Sequence, residues 1–286
     1  MAISIHPAAH IGYVKLKVSN MERSLLFYKA VVGFKELSRS GNEVQLTADG
    51  KRPLLILQEQ QGAVVLPERA AAGLYHFAIL LPSREALGLA LRNLANHNVP
   101  VGQGDHLVSE ALYFNDPDNN GIEIYRDRPR EQWEKLEGGG YKMATDPVDI
   151  QGLLDVSEGK VWNGLPEGTV IGHVHLHVSH LPQAQQFYCD TLGFDIIFNM
   201  GGSALFISAG GYHHHLGLNT WAGVGVPAAP ANAAGLAYYT IVLPDRAAMD
   251  EVLARLGQKQ IQFREQAEGW MVTDPSGISS LLTIGG

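Results

Sequence analysis

The chain repeats itself, and a repeated unit too small to bury its own apolar face must stack or pair with its copies. Ile11-Gly12-Tyr13-Val14-Lys15-Leu16-Lys17-Val18-Ser19 returns 160 residues later as Ile171-Gly172-His173-Val174-His175-Leu176-His177-Val178-Ser179. The same offset carries Phe27-Tyr28 onto Phe187-Tyr188 and Gly33-Phe34 onto Gly193-Phe194. A second pair of segments also matches, Gly73 to Pro82 against Gly235 to Pro244, and each is followed by an Asp-Pro turn, at Asp116-Pro117 and Asp274-Pro275. Weaker likeness among all four segments points to a doubled duplication.

Each unit opens on a strand of period-two alternation. Val14, Leu16 and Val18 face one way while Tyr13, Lys15 and Lys17 face the other. Ser19-Asn20-Met21-Glu22 reads as a capping box. Met21, Leu25, Tyr28 and Val32 follow at helical spacing, with Gly33 placed to end the helix. Glu43–Thr47 and Pro53–Gln58 read as further strands, so the unit is βαβββ and the fold class α+β. The polar, charged stretch 127–168 interrupts the pattern as a structured or partly helical linker between an N-terminal half, 9–126, and a C-terminal half, 169–286.

With 286 residues, 45% of them hydrophobic, the chain can bury sizeable cores and is expected to form two domains. A net charge of −8 argues against a nucleic-acid partner. No apolar run is long enough to span a bilayer, and the first residues lack the pattern of a secretory signal. The single cysteine, Cys189, fits a reducing compartment, so a cytoplasmic location is expected.

The segment 104–124 carries the densest chemistry. Gly104-Asp105-His106, then Tyr113, then Glu123 lie on neighbouring strands that reverse at Asp116-Pro117-Asp118-Asn119-Asn120-Gly121. Glu123 interrupts Ile122 and Ile124, so it shares a core strand but points to the opposite face. If that face is buried the carboxylate needs a strong partner, and a metal ion is one; the other reading is an edge glutamate in solvent.

Paired βαβββ units with these openings resemble the vicinal oxygen chelate superfamily of glyoxalases, extradiol dioxygenases and antibiotic-sequestering proteins. The likeness covers nearly the whole chain outside the linker. The segment from Gly104 to Glu123 resembles the extradiol ring-cleavage motif in particular, departing from it at Asn119, where glycine or proline is usual; asparagine tolerates the left-handed turn such a position needs. The overall layout is similar to the four-unit bacterial catechol 2,3-dioxygenases. The resemblance implies four modules in two paired-module, cup-shaped barrels, with metal ligands on first and last strands. It selects Tyr13, His76, His173 and Tyr238 on the first strands, and Glu123 and Leu281 on the last, with His215 at or beside that position in unit three and only aliphatic residues, Leu54 to Leu57, in unit one. The strong ligands His76, Glu123 and His173 all fall in units two and three. The usual extradiol pairing, one with two in an N-terminal domain and three with four in a C-terminal one, would split His76 and Glu123 from His173. A pairing of two with three and one with four, within a chain or between chains, would gather them.

Two imidazoles and a carboxylate suit non-haem Fe(II), with Mn(II) as the alternative of overlapping preference. The resemblance implies extradiol cleavage of catechol or a substituted catechol by O2, giving a 2-hydroxymuconic semialdehyde-type product. It makes Tyr113 the group bonded to a substrate oxygen and His106 the histidine of the motif. His215, with His213 second, is expected near bound O2 as acid-base; being two apart they would share one strand face, with His214 turned away. His175 and His177 read as structural, His6, His10 and His97 as surface residues, and Trp221, Trp270 and Tyr239 as core or pocket aromatics. Other readings are a glyoxalase-type lyase or isomerase that takes His215 as a fourth ligand to zinc or nickel, and a metal-free module that sequesters a small aromatic compound. A homo-oligomer is expected.

Overall fold

The computed structural model describes residues 3–137 and 139–285. Four βαβββ modules are present. Module one comprises β1 (His10–Val18), α1 (Met21–Leu26), β2 (Lys35–Ser40), β3 (Glu43–Thr47) and β4 (Leu55–Glu59). Module two comprises β5 (Gly73–Leu80), α2 (Arg84–Asn96), β6 (Gly102–Asp105), β7 (Ser109–Asn115) and β8 (Gly121–Asp127). In the linker, a 3-10 turn at Arg130–Gln132 precedes α3 (Ile150–Val156). Module three has β9 (Val170–His177), α4 (Leu181–Phe187), β10 (Asp195–Met200), β11 (Ala204–Ser208) and β12 (Leu216–Asn219). Module four has β13 (Gly235–Leu243), α5 (Arg246–Gln258), β14 (Phe263–Gln266), β15 (Gly269–Thr273) and β16 (Ser279–Ile284).

The strands form two eight-stranded, curled sheets, ordered β14-β15-β16-β13-β1-β4-β3-β2 and β10-β11-β12-β9-β5-β8-β7-β6. Module one therefore pairs with four, and two with three, through antiparallel β1–β13 and β5–β9 contacts. Each sheet takes four strands from each half of the chain, so neither half closes a sheet alone. One face of β1 and of β9 is packed with aliphatic residues, Val14, Leu16 and Val18 on the first and Val174, Leu176 and, just past its end, Val178 on the second, all fully buried. These belong to one continuous apolar core that also receives the helices.

Helix α1 starts one residue later than the capping box implies. Asn20 is the cap, its side chain accepting from Arg23 N at 2.9 Å, because the Ser19 hydroxyl instead donates to Asp118 Oδ1 at 2.6 Å. Past α1 and α4 the chain widens into π turns, Phe27–Val32 and Tyr188–Leu192, which end at Gly33 and Gly193, both at φ 96°. The repeated tyrosines explain the repeated Phe-Tyr pair. Tyr28 OH donates to Asp116 Oδ2 (2.7 Å) and Tyr188 OH to Asp274 Oδ2 (3.0 Å), tying one to two and three to four at the Asp-Pro turns. In the first turn, Asp116 Oδ1 also accepts from the amides of Asp118 and Asn120, and Asn119 takes the left-handed conformation at φ 64°.

Candidate active site

The register of the central strands builds the site. On β9 the period of two turns His173, His175 and His177 away from the core and into the cup. Across the antiparallel pair, His76 lies opposite His175 and Ala78 opposite His173, so a local two-fold between the strands relates His76 to His173. Parallel pairing then sets Glu123 of β8 beside Ala78. The outcome is a buried triad in which one ligand atom each from His76, Glu123 and His173 lies within 4.8 Å of the others. Glu123 Oε2 is 3.0 Å from His76 Nε2 and 3.1 Å from His173 Nε2. The contact to His76 lies off hydrogen-bond geometry, which leaves His76 Nε2 buried and without a partner. An orphaned imidazole nitrogen aimed at a carboxylate that also faces a second imidazole fits a divalent cation; these two nitrogens and the carboxylate would hold it.

The charges agree with that fit. Burial would raise the Glu123 carboxyl, but His173 and His76 overcome it and hold the group well below the usual carboxylate range. Burial lowers His76 despite Glu123, so its imidazole is neutral at pH 7 and its lone pair is available.

Beside the triad opens a cavity of about 590 Å³. Tyr113 and His106 line it, joined by a 2.6 Å hydrogen bond between Tyr113 OH and His106 Nε2. His106 Nδ1 sits 2.7 Å from the backbone oxygen of Ala144, which can only accept; the proton is therefore on Nδ1, and Nε2 accepts from Tyr113. Gly104 precedes His106 by two positions because a Cβ there would come within 3.0 Å of the imidazole. Burial and then Glu123 push the Tyr113 phenol well above its ordinary value.

His213, His214 and His215 are not where strand alternation predicts. β12 begins only at Leu216, so the three histidines lie in the preceding loop and the period of two does not apply. His214 lines the cavity, its ring 4.0 Å from that of His173. His213 stands behind it, with Nε2 2.9 Å from Asp127 Oδ1 and Nδ1 2.8 Å from His214 Nδ1. His215 is off the cavity wall: its Nδ1 accepts from Ala209 N at 3.1 Å and its ring packs against Tyr212. Because Asp127 only accepts, a neutral His213 carries its proton on Nε2 and accepts at Nδ1 from His214, which leaves His214 Nε2 as the free basic nitrogen. Burial, followed by the neighbouring histidines, holds His214 well below its usual range.

His175 also lines the cavity, with a buried Nε2 that has no partner. Burial and then the neighbouring histidines push its pKa far down. Its signal in the sequence is its spacing of two from His173. Phe198, Met200 and Phe206 had no signal beyond strand alternation, and Met143, Ala144 and Thr145 come from the linker yet form one wall. Trp221 joins the pocket, whereas Tyr239 is core and Trp270 lies under the Arg246 guanidinium. His6, His10 and His97 are exposed.

The family model of the Glyoxalase/Bleomycin resistance protein/Dioxygenase superfamily matches residues 10–124 and 170–279. The chain belongs to this superfamily. Within it, the chain is 54% identical over 273 residues to "Catechol-2,3-dioxygenase" of Bacillus subtilis (strain 168), covering 95% of this chain and 96% of that protein. Two solved structures share the fold. A putative dioxygenase from Bacillus subtilis subsp. subtilis str. 168 superposes with a TM-score of 0.64 at 13% identity, covering 99% of this chain and 85% of the other. Glyoxalase I from Zea mays does so with a TM-score of 0.57 at 15% identity, covering 97% and 92%.

Proposed function

We propose that this chain is an Fe(II)-dependent extradiol dioxygenase that opens the ring of catechol or a substituted catechol with O2. The observation that carries this reading over a glyoxalase-type lyase is the number of ligands. On β9, His175 corresponds to Ala78 of β5, and its parallel partner on β12 is Gly217, at the place where module two has Glu123. A side chain there is excluded, since a Cβ on Gly217 would come within 2.6 Å of the His175 ring. His215, the other candidate for a fourth ligand, is turned away from the triad. Three protein ligands leave sites for both oxygens of a diol and for O2, and that supports dioxygenation. The high identity to a catechol-2,3-dioxygenase supports the same chemistry.

When bound, iron supplies a Lewis acid that lowers the proton affinity of the diol and brings it beside O2. The chain's own residues supply position and protons. Tyr113 spends its hydroxyl proton on His106, so its oxygen faces the cavity as an acceptor for a substrate hydroxyl, and His106 can pass or return that proton. His214, neutral and with Nε2 free, is the acid-base group we assign to the oxygen side of the reaction, in place of His215, with His213 and Asp127 fixing its tautomer. Mn(II) would fit the same donors. Metal analysis of anaerobically purified protein, together with absorbance of a ring-cleaved product from catechol, tests the reading. One equivalent of zinc or nickel with no cleavage would move the chain to the lyase class, and no metal would move it to the binding modules.

A further inference from the structure

We infer that the cavity selects catechols carrying an uncharged, apolar substituent and discriminates against those with a carboxylate arm. This rests on the ring-cleaving reading above and concerns the part of the pocket that does not touch the diol. The wall changes character with distance from the triad. The His214 ring, 4.0 Å from His173, is followed by Phe206 at 5.1 Å from His214 and by Phe198 at 6.0 Å from Phe206. Two residues further along the same strand, Met200 also lines the cavity and is 41% exposed, so it marks the solvent end together with half-buried Met143 of the linker.

No lysine or arginine lines this cavity among the described residues, and its only carboxylate is Glu123. The cations nearest in sequence are committed elsewhere. Arg84 and Arg126 grip the buried Glu110, Arg128 pairs with Asp105, and Lys142 pairs with Glu134. A carboxylate carried in on the ring would lose water and gain no cation, which is unfavourable. A net charge of −8 adds long-range repulsion of an anion. An alkyl or aryl group gains instead, because it buries apolar surface against Phe198, Phe206 and Met200. A cavity of about 590 Å³ has room for such a group beside the ring.

The test compares catechol, 4-ethylcatechol, 3,4-dihydroxyphenylacetamide and 3,4-dihydroxyphenylacetate on iron-loaded enzyme. Binding is read by anaerobic calorimetry and ring cleavage by product absorbance. The acetamide has the size of the acetate without its charge, so the two separate charge from bulk. The expected result is 4-ethylcatechol at or above catechol in kcat/KM, and the acetate at least about tenfold below the acetamide in both binding and kcat/KM. Met200→Arg should narrow the acetate–acetamide gap by about twofold to fivefold, the size of an exposed ion pair. Acetate equal to or better than acetamide overturns the inference. An unchanged gap in Met200→Arg overturns the placement of the substituent at this mouth. If none of the four compounds binds or is cleaved, it is the dioxygenase reading itself that fails.

Discussion

The two cups of this protein share a backbone plan and differ in what fills it. In the cup of modules two and three, the first strands place His76 and His173 at related positions, and Glu123 sits beside Ala78. In the cup of modules one and four, the corresponding residues are Tyr238 and Tyr13, and Leu281 lies beside Thr240 in the same parallel register. The next inward positions, held by His175 and His177 on β9, are Lys15 and Lys17 on β1. Tyr13 OH is 3.3 Å from Tyr238 OH and donates to Glu268 at 2.7 Å, while Lys15 lies 5.8 Å from the Tyr238 ring and pairs with Glu43. These side chains have found protein partners, and burial, followed by the bonds to Tyr238 and Glu268, holds the Tyr13 phenol protonated. In the other cup, His76 Nε2 and His175 Nε2 have none. The same frame thus yields a closed polar cluster or a buried His–Glu–His triad according to a few side chains, and unsatisfied buried nitrogens distinguish the two.

The largest expected effect breaks the comparison at its centre. Glu123→Ala, or His173→Ala, should abolish iron retention and ring cleavage while circular dichroism shows the fold kept; full iron by elemental analysis in either variant would remove that residue from the ligand set. Next comes the proton machinery. Tyr113→Phe and His214→Ala should keep iron and lower kcat by about 10²–10⁴-fold, with substrate affinity changing less. Loss of iron in His214→Ala would make it a ligand. His215→Ala, by contrast, should leave kcat within a few-fold, a direct comparison of the two neighbours.

The comparison can be sharpened by building the missing site. Tyr13→His, Tyr238→His and Leu281→Glu together should give the second cup a metal-binding triad, read as a rise from one to two equivalents of metal per chain. Metal-dependent thermal stability should follow, since binding to the native state alone stabilises it. One equivalent would mean that Lys15 and Glu268 override the ligands.

The smallest effect is a slope with pH. Burial, as the leading cause, holds His76, His175 and His214 below their ordinary values, so in metal-free protein the unfolded chain takes up protons that the folded chain does not. Stability should be insensitive to these groups above about pH 6.5 and should fall as pH drops below it, by up to about 1.4 kcal/mol per pH unit for each. Urea midpoints of metal-free protein between pH 7.5 and 5.5 measure this, and a flat profile would contradict the burial of neutral imidazoles.

Much of this site was legible in the sequence because it sits on strands whose register is locked by an alternating apolar face. The 160-residue repeat and the alternation of β9 placed His173; the match of module two to module four placed His76; and Ile122-Glu123-Ile124 told which way Glu123 points. The concentration of strong ligands in modules two and three also implied the sheet pairing that the structure has. What was not legible depends on backbone that leaves the regular pattern. His214 was expected to face away because a strand was extended back through a loop, and its orienting contact is His213, itself held by Asp127, far off in sequence. The linker wall, Met143 to Thr145, is held to β6 by paired backbone bonds between Asp105 and Asp146, and no periodicity records such contacts.

The tyrosine–aspartate bonds at the Asp-Pro turns have a consequence for how such a gene can change. They join module one to two and three to four, while the sheets join one to four and two to three, so the modules form a closed ring of dependencies with no weak link at which to cut. His76 and Glu123 are inherited with the first half of the gene and His173 with the second. Either half alone therefore carries only part of the triad and only half of each sheet, so a cut between them would undo the site and both sheets at once.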